Sequence, residues 1–163
     1  MRRLLIVWWS TTGGTRQLAD ALAEGAREEP DVEVVSLRAD EAGPDDVLAA
    51  QAFVFAAPEN LASMAGRMKD FFDRSYYPVL GRVDGLPYAV VVCAGTDGTG
   101  AARQIARIAT GWRLKAVAEP LVVVNGAQTP EEILAPKTIA AAQRERARAL
   151  GRTLGAGLAM GIW

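Results

Sequence analysis

The stretch Ser10-Thr11-Thr12-Gly13-Gly14-Thr15 places four hydroxyls and two glycines between an apolar run, Leu4 to Trp9, and a segment with helical periodicity. That composition suits a phosphate. Amide N–H groups at a helix start have no intrahelical acceptor and lie at the positive end of the helix dipole, so they attract an anion without lysine or arginine. Ser10, Thr12 and Thr15 add side-chain donors, while Gly13 and Gly14 let the backbone curl without a Cβ in the way. The plainer alternative is a strand-to-helix turn with Thr12 or Thr15 as its N-cap. Neither the Gly-Lys-Ser/Thr ending of a Walker loop nor a G-x-G-x-x-G dinucleotide fingerprint occurs here.

Two further loops combine glycine, proline and hydroxyl residues at the ends of apolar runs: Pro58-Glu59-Asn60-Leu61-Ala62 after Ala52 to Ala57, and Ala94-Gly95-Thr96-Asp97-Gly98-Thr99-Gly100 at the end of Tyr88 to Ala94. With Leu4 to Trp9, Val32 to Leu37 and Ala116 to Val124, these runs predict five strands. Helical periodicity falls between them. Leu18, Ala21, Leu22, Gly25 and Ala26 mark one helix that Pro30 closes, Pro44-Asp45-Asp46 starts a short one, and Met64, Met68, Phe71 and Phe72 mark a third. Ala101, Ile105, Ile108 and Trp112 mark a fourth, and the last runs roughly from Pro130 towards Leu158. Strict alternation with right-handed crossovers predicts an α/β fold, a doubly wound five-stranded parallel sheet of order 2-1-3-4-5 with helices on both faces. Its ligand crevice must lie beyond the carboxyl ends of strands 1, 3 and 4, where the three loops leave.

The segment Ser10 to Thr15 resembles the flavodoxin phosphate loop, T/S-x-T-G-x-T. The stretch from Ala56 to Arg74 resembles flavodoxin-like NAD(P)H-dependent FMN and quinone reductases, in which a proline-led loop precedes a helix with a Lys-x-Phe-x-Asp-like pattern, here Lys69 to Asp73. The resemblance implies a flavodoxin-like fold with FMN as cofactor. The first loop would bind its 5′-phosphate, and the backbone from Pro58 through Glu59, Asn60, Leu61 and Ala62 would meet the flavin edge near N5. Ala94, Gly95, Thr96, Asp97, Gly98 and Gly100 would curl around the pyrimidine edge, donating N–H groups to O2 and N1.

This chain departs from the electron-carrier flavodoxins in two respects. Its second and third loops offer Leu61 and Met64 where carriers present aromatic rings, and its formal charge is −1 where carriers are strongly acidic. An uncovered flavin face leaves room for a nicotinamide or a quinone to stack. The expected function is therefore hydride transfer from NAD(P)H to a quinone-like or other small acceptor, with a flavodoxin-type one-electron carrier as the alternative. Such chemistry needs no catalytic residue, because the flavin carries it. The absence of histidine removes Ser-His-Asp and Cys-His mechanisms and any plausible zinc site. Missing rings also suggest a homo-oligomer in which Tyr76 and Tyr77 cover the flavin, in cis or in trans.

At 163 residues and half apolar composition, residues 1–163 are expected to form a single domain. The near-zero charge and lack of a basic stripe argue against nucleic acid, and Arg144-Glu145-Arg146-Ala147-Arg148 suits a solvated helix face. Arg2-Arg3 before an apolar run mimics a signal peptide, but the run is too short and no cleavage site follows. No stretch is long enough to span a membrane, and a lone cysteine fits a reducing cytoplasm. Cys93, without a histidine to activate it, is expected to be a core thiol. Trp8 and Trp9 should face opposite sides of the sheet, and the Met and aromatic stripe of the third helix should be core packing. A response-regulator receiver would need acidic residues where Trp9-Ser10 and Ala57-Pro58 stand.

Overall fold

Apolar, β-branched runs form the strands in the computed structural model, which describes residues Met1 to Trp163. Strand β1 (Arg2–Trp8) pairs in parallel with β2 (Val32–Arg38) on one side and β3 (Ala52–Asn60) on the other. Beyond β3 lies β5 (Pro87–Ala94), which pairs with β6 (Lys115–Ala116) and β7 (Leu121–Val124), so the expected order of five strand positions is observed. Two local events raise the strand count to seven. The two-residue β4 (Ser63–Met64) folds back on the end of β3, and the fifth strand, expected as continuous from Ala116 to Val124, is split. Tyr88 opposes Ala116 while Val91 opposes Leu121, so the outer strand carries two extra residues there. Pro120, which has no N–H for the ladder, sits in that bulge.

Alternation along β1 divides the core. Leu5 and Val7 join Phe53, Phe55 and Val90 on one face, beneath α2 (Pro44–Ala49), α3 (Gly66–Val79) and α4 (Thr99–Gly111). Leu4 and Ile6 join Val54 and Val91 on the other, beneath α1 (Gly14–Ala26) and α6 (Ala141–Met160). Trp8 packs on the second side and Trp9 on the first, as the period of two requires. Phe55 contacts the rings of Phe53, Phe71, Phe72, Tyr88 and Trp112 at centroid distances of 4.9–6.3 Å, so the stripe on α3 is core. None of the helices is long and apolar enough to cross a membrane.

Two expected boundaries and one expected placement are corrected. The last helix is two: α5 (Pro130–Leu134) stops where Ala135, preceding Pro136, turns extended, and α6 begins only at Ala141. Met64 belongs to β4, and α3 starts at Gly66. Tyr76 and Tyr77 lie in the last turns of α3, at the end of the sheet away from its carboxyl edge, so they do not cover that edge within the chain.

Helices α1 and α6 touch through glycine. A Cβ at Gly25 would stand 2.0 Å from the Arg148 carbonyl oxygen, and one at Gly151 would stand 2.0 Å from that of Leu22. Arg144, Glu145 and Arg146 are exposed as expected, whereas Arg148 reaches across to Glu24. Such surface pairs add little. The close approach therefore rests on the missing side chains. Gly151→Ala is expected to destabilise the chain by about 1–3 kcal/mol through overpacking. Gly111→Ala, with no atom within 4 Å of the added carbon, should stabilise it by up to about 1 kcal/mol through helix propensity. Urea unfolding of the two variants checks both signs.

Candidate functional site

Beyond the carboxyl ends of β1, β3, β5 and β7 lies a cleft of about 710 Å³, a size that suits a small-molecule site. Its floor at β1 is the Ser10 to Thr15 loop. Ser10 Oγ accepts from the Gly13 N–H at 3.1 Å, which closes the turn, and Gly13 takes the N-cap position of α1 with φ +94°. No side chain caps α1, so neither Thr12 nor Thr15 acts as a cap. The first-turn amides of α1 therefore keep their anion-binding capacity. Thr15 is only 1% exposed, lines the cleft, and its Oγ1 has no hydrogen-bond partner. A buried hydroxyl left in this way costs about 1–3 kcal/mol.

The segment between α5 and α6 is tied across this loop. The Lys137 N–H donates to the Thr12 carbonyl at 2.8 Å. Gln17 Nε2 donates to the carbonyls of Gly13 and Lys137 at 3.0 and 2.7 Å, and Gln17 Oε1 accepts from the Ile139 N–H at 3.0 Å. Gly14 makes the crossing possible, because a Cβ there would come within 2.8 Å of Cys93 Sγ and 3.5 Å of Lys137 Cβ.

The second loop is a β-hairpin, with Asn60 paired to Ser63 and Leu61 and Ala62 at the turn with φ of 52° and 61°. Two left-handed central residues match a type I′ turn, which favours Asn-Gly and costs Leu-Ala about 1–2 kcal/mol per residue. Helix α4 holds this strained turn. Glu59 accepts from the Gly98 and Ala101 N–H groups at 2.9 and 3.0 Å, Gln104 Oε1 accepts from the Met64 N–H at 2.8 Å, and a Cβ at Gly100 would lie 2.1 Å from the Ala62 oxygen.

The structure brings Ser10, Thr11, Thr12, Gly14 and Thr15 together with Pro58 to Ala62 and with Ala94, Gly95 and Thr96 around the one cleft. Gly13, Asp97, Gly98 and Gly100 lie off its surface. Gly13 and Gly98 are left-handed N-cap residues, Gly100 is the contact point for the hairpin, and Asp97 accepts from Thr99 Oγ1. A fourth loop had no place in the sequence-based site. Asn125, Ala127 and Gln128 after β7, then Ile133, Leu134 and Lys137, complete the lining together with Cys93 at the end of β5. Asn125-Gly126 at the end of the fifth apolar run and Pro136 inside an apparent helix were the signals that could have revealed it.

A family model described as flavodoxin matches residues 6–135. The chain belongs to the flavodoxin family. FMN is the cofactor of that family. Among curated relatives, a flavodoxin of Aquifex aeolicus is 32% identical over 108 residues, covering 65% of this chain and 56% of that protein. An NAD(P)H dehydrogenase (quinone) of Acidithiobacillus ferrooxidans is 30% identical over 95 residues, covering 46% and 48%. The chain thus spans about half the length of these curated relatives. A solved flavodoxin from the domain Archaea superposes with a TM-score of 0.77 at 17% identity, over 96% of this chain and 98% of that one.

Against that flavodoxin frame, Cys93 sits at the end of β5 beneath the start of α1 and is 5% exposed. Burial pushes its pKa up, outweighing the opposing effects of the Asn125 amide and the Lys137 charge. The folded state thus holds this proton more tightly than an unfolded chain does, and the stability this gives is lost as pH rises through the folded pKa. At about pH 8, Ellman's reagent is expected to modify Cys93 in the native chain at least about tenfold more slowly than in urea.

Proposed function

We propose that this chain is an FMN-dependent oxidoreductase that takes a hydride from NADH or NADPH and passes electrons to a quinone-like or other small acceptor. The observation that carries the proposal is the lining of the cleft, where Leu61, Ala62, Ile133 and Leu134 stand and no aromatic side chain does. A rim without rings leaves a flat ligand open to a second planar molecule. Relatives named NAD(P)H dehydrogenase (quinone) support the same assignment.

The residues present fit FMN. Ser10, Thr11, Thr12, Gly14 and Thr15 would hold its phosphate through first-turn amides and hydroxyls, and the unpartnered Thr15 Oγ1 is the donor that a phosphate oxygen would satisfy. Pro58 to Ala62 and Ala94 to Thr96 would hold its ring. FMN, when bound, supplies the redox chemistry. The chain's own residues bind it, orient it and leave one face accessible.

In this proposal residues 1–163 act as a single FMN-binding domain in the cytoplasm, and the fully exposed Leu61 supports contact with a second copy. The match to the Aquifex aeolicus flavodoxin favours a second reading, an electron carrier.

Titration of the flavin-free chain is expected to give far tighter binding of FMN than of riboflavin. Thr15→Val should weaken FMN about ten- to a hundredfold, the equivalent of a lost charge-assisted hydrogen bond of roughly 1.5–3 kcal/mol, with riboflavin unaffected. Equal affinities for the two flavins in the unaltered chain would remove the phosphate assignment. Anaerobic mixing of the FMN-loaded chain with NADH or NADPH is expected to bleach the flavin band within the time of turnover. Light scattering on the same sample should give a mass above 17.3 kDa. No bleaching with either nucleotide, and a monomer, would leave the electron carrier.

A further inference from the structure

Lys137 is the only cation that lines the cleft, and its position beside Thr12 and Gly14 invites a role as phosphate ligand. Its hydrogen bonds point elsewhere. The ammonium donates to the carbonyls of Glu132, Ile133 and Ala135 at 2.7, 3.0 and 2.6 Å, so all three N–H groups are used in closing the C-terminal end of α5. At the other end, Thr129 and Glu132 form a reciprocal capping box. A five-residue helix has too few internal bonds to persist by itself. These two caps hold it, and the Lys137 backbone anchors it to Thr12 and Gln17.

What α5 presents to the cleft is apolar. Ile133 and Leu134 line it while remaining 52% and 76% exposed, and Leu61, 100% exposed, lines it from the hairpin. The aliphatic side chains of α5, held this far into water by a dedicated set of caps, gain burial when something enters the cleft.

We propose that α5 is an apolar wall for the body of the flavin, supplied by Ile133 and Leu134, and that Lys137 is the positioning residue that holds it against the cleft. This inference rests on the FMN assignment above. It makes Lys137 indifferent to the phosphate, which separates it from the residues of the first loop.

The test is titration of the flavin-free chain with FMN and with riboflavin, followed by flavin fluorescence quenching. Lys137→Met keeps the stem and removes the three donors; it is expected to weaken both flavins by the same factor, about tenfold, with Lys137→Arg restoring affinity to within about threefold. The double variant Ile133→Ser/Leu134→Ser, altered at solvent-exposed positions, should weaken both flavins likewise if Lys137→Met fails to fold. Loss confined to FMN would make the ammonium a phosphate ligand and overturn the proposal, as would unchanged binding in the folded variants. Failure of the unaltered chain to bind either flavin would instead overturn the FMN assignment itself.

Discussion

The Glu59 carboxylate is the joint on which the cleft depends. It leaves the end of β3 and accepts from the Gly98 and Ala101 N–H groups, so an anion from one loop closes the N-terminus of the helix that follows another. Charge-assisted bonds at a helix start are among the stronger polar contacts available, because the helix dipole adds to both. With this joint made, the hairpin at Leu61 and the loop at Gly95 cannot move independently. Gly100 completes it by letting the Ala62 carbonyl approach to a distance that any side chain would forbid.

Much of the fold was legible because its signals are local. The unbroken apolar run Leu4 to Val7 marks a strand buried on both faces, and a period near 3.6 along Leu18 to Ala26 states which face of the helix is buried; the two observed cores follow. The phosphate-loop residues were legible for the same reason, since a run of hydroxyls and glycines between a strand and a helix leaves few other uses. The roles of Glu59 and Gly100 were not. Glu59 was expected to contribute backbone to a ligand, but its side chain is a cap for a helix some forty residues away, and nothing at position 59 marks that partner.

The fourth loop was missed by a similar failure of locality. Apolar periodicity continues from Ile133 to Leu158 across Pro136, and a pattern that spans a proline reads as one helix until the partners of the intervening residues are known. Those partners are Thr12 and Gln17, more than a hundred residues earlier. Contacts of that sequence separation decide how an irregular segment lies, because such a segment has no ladder of its own to satisfy its backbone. The split of the fifth strand at Pro120 has a local cause that could have been read, since a proline has no N–H to donate to a ladder and is placed at bulges and edges.

Several unfavourable features of the chain converge on the cleft. Thr15 buries a hydroxyl with no partner, Leu61 and Ala62 adopt left-handed backbone, and Ile133, Leu134 and Leu61 hold aliphatic surface in water. Elsewhere a chain of this size gains little from such arrangements, given a net stability of only about 5–15 kcal/mol. Under the proposed function the first and the last of these have one common resolution. A phosphate oxygen would pair with the hydroxyl, and a flavin body would cover the aliphatic groups. A ligand that binds only the folded state adds stability by mass action, about 2.7 kcal/mol at a hundred times its dissociation constant. Glu59, Gln104 and Gly100 hold the turn, and Lys137 holds the wall, with contacts made inside the protein. The cleft is thus kept in shape by bonds that a ligand need not form, while the Thr15 hydroxyl and the Leu61, Ile133 and Leu134 side chains stand where a ligand can reach them.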